Sequence, residues 1–92
     1  MTWQYLAGEV SLRLAQLEQE AGSQPPVRCL RALRRAAEAG STGTLAGVIM
    51  GALAVSEQLC WGALDRGDVA AFVRQAELSA DLGEFGDSAG LL

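Results

Sequence analysis

Apolar residues in this chain return at steps of three and four rather than two, and that period predicts helices. Over residues 3–21, Trp3, Ala7, Val10, Leu14, Leu17 and Ala21 form one stripe. Thr2 is placed to cap the first turn and Gly22 to end the helix, while Glu9 precedes Arg13 by four on the polar side. "GSQPP" at 22–26 interrupts the pattern, because proline disfavours helical backbone in the residue before it. Pro26 is suited to open a second helix, about 26–39, which is expected to bury Cys29, Leu30, Leu33 and Ala37. "GSTG" at 40–43 reads as a turn, with Gly40 as stop and Ser41 or Thr42 as cap, and a third helix follows over about 43–65. "DRGD" at 65–68 contains a cell-adhesion tripeptide, but its residues are explained by Gly67 as a helix stop and Asp68 as the next cap.

In the fourth helix, 69–82, the expected inward face is Val69, Phe72, Val73, Ala76 and Ala80. From Gly83 the run "GEFGDSAGLL" carries three glycines and no period, so 83–92 is expected to be an irregular tail. No segment alternates with period two for more than a few residues. Short connections favour antiparallel neighbours, and the expected fold is all-α: one domain over 1–82, a small up-down four-helix bundle.

The third helix is the most apolar and poses the main question. Its uninterrupted apolar run, Leu45 to Val55, is shorter than the roughly 20 residues a membrane span needs. Extending it meets Glu57, and a charge at that depth costs roughly 2.5–3.5 kcal/mol on insertion scales. A core position is expected instead, with Leu45, Ile49, Ala52, Ser56, Leu59 and Ala63 on one side and Val48 and Val55 flanking. The other side carries Gly47, Gly51, Ala54 and Gly62, with Met50, Gln58 and Trp61 beside them. An interior glycine weakens a helix by about 1 kcal/mol relative to alanine. Close approach of another backbone is the usual compensation. Tyr5, Gly8 and Leu12 on the first helix, and Ala71, Leu78 and Leu82 on the fourth, add apolar surface off the main stripes. Clusters of that kind mark interfaces, so a homodimer or larger assembly is expected, with Gly47, Met50, Gly51, Ala54, Gln58, Trp61 and Gly62 near the seam.

Composition narrows the chemistry. The net charge of −4 argues against nucleic acid and anionic lipid as general partners. Lysine is absent and all seven cations are arginine, a bias that a GC-rich bacterial genome would produce. There is no histidine, so Ser-His and Cys-His nucleophiles and a Glu-x-x-His di-iron site are excluded. Two widely separated cysteines do not make a zinc site, and no metal or other cofactor is expected. The first residues lack a charged n-region and an oily h-region, which suggests a cytoplasmic protein with Cys29 and Cys60 as free, core-facing thiols. Without lysine there is no phosphate-binding glycine loop. Arg28, Arg31 and Arg35 fall within about 60° of helical arc. They form a stripe that is either simply solvated or suited to an acidic protein partner.

Two functional classes are consistent with these features. One is a non-enzymatic interaction module that self-associates. The other is a carrier or sensor of a small hydrophobic ligand held between helices near Met50, Trp61 and Phe72.

Overall fold

The computed structural model describes residues 2–40 and 42–92. Four helices follow one another: α1 (Trp3–Ala21), α2 (Val27–Ala39), α3 (Thr42–Asp65) and α4 (Val69–Ser88), with no strand among the described residues. They form a small all-α four-helix bundle. Each helix packs on its neighbours in the chain, α4 also returns to α1, and α1 meets α3 across the centre. Among the described residues α2 and α4 do not touch. The bundle is therefore flattened, with extents of 41 × 23 × 16 Å.

Local chemistry sets the helix ends. The Thr2 side chain accepts the Tyr5 N–H at 3.3 Å, and Pro26 precedes the first residue of α2. Of the two caps expected for α3, Ser41 lies outside the described residues and Thr42 is the first residue of the helix. At the end of α3, Gly67 takes a φ of 72°, the Asp68 N–H donates to the Ala63 carbonyl, and the Gly67 N–H donates to that of Leu64. That pair of bonds is a Schellman closure, which needs the left-handed backbone glycine adopts without strain. Asp68 then accepts the Ala71 N–H at 3.0 Å and starts α4, so the "RGD" residues are occupied in a helix stop and restart.

Two expected faces hold. On α1, Ala7, Val10, Leu14, Leu17 and Ala21 are buried, joined by Leu6, with Trp3 half-buried at the rim. On α3, all eight expected inward residues, from Leu45 to Ala63, are buried.

α4 departs from expectation in length and in rotation. It continues through 83–88, and its buried line is Ala71, Gln75, Leu82 and Gly86, with Leu78, Phe85 and Ala89 partly covered. Val69 and Val73, expected inside, are 62% and 44% exposed, and Ala80 is exposed as well. The inward line steps by four and three along the whole helix, and only a helix reaching Ser88 reveals it. Three features hold the extension. The Arg13 guanidinium lies 4.3 Å from the Phe85 ring centroid and its Nε lies 3.1 Å from Asp81. Gly86 lets α4 approach α3, since a Cβ there would stand 3.2 Å from Ile49 Cδ1. A second Schellman closure ends the helix: Gly90 has φ 73°, Leu91 N–H donates to the Gly86 carbonyl at 2.8 Å, and the Leu91 side chain is buried.

α2 is also turned from its expected setting. Val27, Leu30 and Ala37 are buried, Leu33 is half-buried, and Cys29 is exposed. The rotation follows from the contact with α1. Glu18, nearly buried, accepts from Arg34 Nε at 2.5 Å and from Arg34 Nη2 at 3.1 Å, which draws the Arg34 edge towards α1. Elsewhere α4 is tied to α1 by Arg74–Glu20 at 2.6 Å. Two buried polar residues remain in the core. Ser56 accepts from the Ser79 hydroxyl at 2.9 Å, while Gln75 Oε1 has no hydrogen-bond partner among the described residues.

This rotation of α4 predicts an asymmetry under truncation. Leu82→Ala is expected to cost about 2–5 kcal/mol, and Val73→Ala to change stability within about 0.5 kcal/mol. Urea unfolding of the two variants measures both, and a larger loss at Val73 would restore the originally expected face.

Candidate functional site

The expected self-association residues separate into an outer strip and a flank. Gly47, Met50, Ala54, Gln58 and Trp61 are exposed on the side of α3 opposite its core face. Met50 is 63% exposed and Trp61 60%. Gly51 lies instead on the flank against α2, where a Cβ would meet Leu33 Cδ2 at 3.2 Å. Its missing side chain is used inside the bundle. Gly62 also lies on a flank, near Arg66 and Gln24, which hydrogen-bond each other at 3.2 Å. Only Gly47 of the three has open space where a side chain would stand. The glycine side is thus not one uniform seam.

The strip itself is longer than the expected residues, running from Gly43 to Leu64. Gly43, Gly47, Met50, Ala54, Glu57, Trp61 and Leu64 are all exposed and follow steps of four and three along the full helix. Gln58 and Asp65 flank it. The same spacing rule that selected the buried face would have found Gly43, Glu57, Leu64 and Asp65 had it been applied to the outer one. Trp61 Nε1 donates to Glu57 Oε1 at 3.5 Å, so the indole leans back along the helix by one turn.

By length and composition Gly43–Asp65 is apolar enough to cross a membrane. The uninterrupted apolar run is short, but the whole helix meets no charge except Glu57 before Asp65. A core helix passes the same test, and the Leu45–Ala63 face of α3 is buried in the bundle.

The arginine stripe is partly engaged. Arg31 Nε stands 3.6 Å from Glu18 Oε1, beside the Arg34 pair that raises the Arg34 pKa by hydrogen bonding and charge attraction. Arg28 and Arg35 are exposed and make no ion pair among the described residues. Arg28 and Arg31 border an open groove of about 530 Å³ with Gly22, Ser23, Gln24, Pro25 and Val27. A second groove, about 440 Å³, runs along α1 past Trp3, Gly8 and Leu12 to Glu38. Neither is lined by Met50, Trp61 or Phe72, the residues expected to hold a hydrophobic ligand. Among the described residues no group of Cys, Asp and Glu is gathered closely enough to hold a metal ion.

No protein-family model matches the chain, no curated protein matches its sequence, and no solved structure matches its fold.

Both thiols are free, in different surroundings. Burial, and secondarily the Glu57 carboxylate, push the Cys60 thiol above its usual pKa. At neutral pH it therefore holds less of the reactive thiolate than an ordinary cysteine. Cys29, on the exposed edge of α2, is expected to be alkylated first by limiting iodoacetamide at pH 7.5, with Cys60 gaining reactivity only at higher pH. Peptide mass mapping reads the order, and prior labelling of Cys60 would contradict this placement.

Proposed function

We propose that this chain is a non-enzymatic, cytoplasmic helical module that acts by self-association through the outer strip of α3. One observation carries the reading: the most apolar helix has a fully buried face and, opposite it, an exposed strip holding Met50, Trp61 and Leu64. Single exposed apolar residues are ordinary on a protein surface. A row of them along one helix is what a partner surface provides with burial. Trp and Met are also residue types enriched at interfaces. The arginine-only cation set fits a bacterial source.

A second copy is the occupant that the strip's own pattern favours, and the test is direct. Sedimentation or light scattering of the wild-type chain at tens of micromolar is expected to give more than the 9.6 kDa of one chain. Met50→Glu is expected to give the single-chain mass with unchanged helicity, because it places a charge at the centre of the contact. A wild-type chain that stays monomeric, or that only gains tryptophan blue shift on neutral lipid vesicles, ends this reading.

A further inference from the structure

We propose that the groove at the α1–α2 turn is a docking site for a short acidic peptide segment of a partner protein, held by Arg28 and Arg31. The site is separate from the α3 strip, because only α2 and the turn before it line the groove. Its volume of about 530 Å³ falls within the roughly 300–1,000 Å³ of ligand sites. The chain has eleven acidic residues, yet none of them lines this groove.

The side-chain groups left unused there are cationic or donating. Arg28 makes no hydrogen bond or ion pair among the described residues. Arg31 has one long contact, 3.6 Å, with a Glu18 carboxylate that already accepts two hydrogen bonds from Arg34. Arg28, Arg31 and Arg34 are thus matched by only two carboxylates, Glu18 and Glu38. Gln24 gives its side-chain oxygen to Arg66 at 3.2 Å, so what it has left is the NH2 donor. The first N–H groups of α2 are already bonded to the carbonyls of Gln24, Pro25 and Pro26, which leaves recognition to the side chains.

These groups fit a peptide with neighbouring carboxylates. Arg28 and Arg31 stand about 4.5 Å apart along the helix axis and about 60° apart around it, so each can take its own carboxylate in a forked pair. Pro25 and Val27 give the groove an apolar side for the stems of glutamate side chains. The net charge of −4 repels a long polyanion such as nucleic acid, whereas a short segment engages the groove alone.

Fluorescence anisotropy of a labelled, end-capped tetraglutamate at low ionic strength tests the site, with tetraglutamine as the uncharged control. Tetraglutamate is expected to bind and tetraglutamine not to. Arg28→Glu removes no contact inside the protein, so helicity by circular dichroism is expected to hold while affinity falls by about tenfold or more. Arg35→Glu makes the same change of net charge on the same helix, outside the groove, and is expected to leave the affinity unchanged. Met50→Glu is likewise expected to bind the peptide as the wild type does, so failure of self-association and failure of this site are read apart. Equal losses from Arg28→Glu and Arg35→Glu would show diffuse attraction and overturn the site. No binding of tetraglutamate, or its displacement by an equal concentration of inorganic phosphate, would overturn it too.

Discussion

The structure depends on how much apolar circumference α3 must cover. One face packs into the centre of the bundle against α1, and its two flanks are taken by α2 and α4. Because α1 and α3 meet across the middle while α2 and α4 stay apart, the bundle is flattened and no helix is left to cover the outside of α3. The exposed strip of Met50, Trp61 and Leu64 follows from that arrangement. It is not a local irregularity but the remainder of an apolar helix in a fold with too few neighbours.

Polar contacts then decide how the outer helices sit. Glu18 and Arg34 join α1 to α2 with two hydrogen bonds, while Arg13 reaches Glu9, Asp81 and the Phe85 ring on α1 and α4. These are mostly half-exposed pairs, and their individual contributions to stability are small. Their effect is orientational. They lie beside the edge of α2 and the line of α4 that face inward, next to the buried Leu30, Ala37 and Leu82.

That distinction accounts for what was legible in the sequence. The faces of α1 and α3 are dense in Leu, Val and Ile, so spacing alone identified them. On α4, Val69, Phe72 and Val73 outweigh Ala71 and Gln75 in the first two turns, and the truer line emerges only with Leu82, Phe85 and Gly86. Gly83 and Gly86 concealed those turns by resembling a broken helix. The closing signal was nonetheless present, since Gly90 followed by Leu91 is the glycine and apolar residue a Schellman ending requires. Cys29 was misplaced because the pull of Glu18 on Arg34 comes from another helix and has no mark in the local period. On α3, the outward placement of Met50, Ala54 and Trp61 followed from the helical period, whereas the different settings of Gly47 and Gly51 needed the position of Leu33.

Gln75 is a side chain whose burial brings a penalty, for its oxygen is enclosed without a partner in a line otherwise built from apolar and small residues. An enclosed amide oxygen with no donor costs desolvation that the surrounding packing must offset. The turn at Gln75 therefore adds less to the cohesion of the bundle than the turn at Leu82, where the inward side chain is wholly apolar.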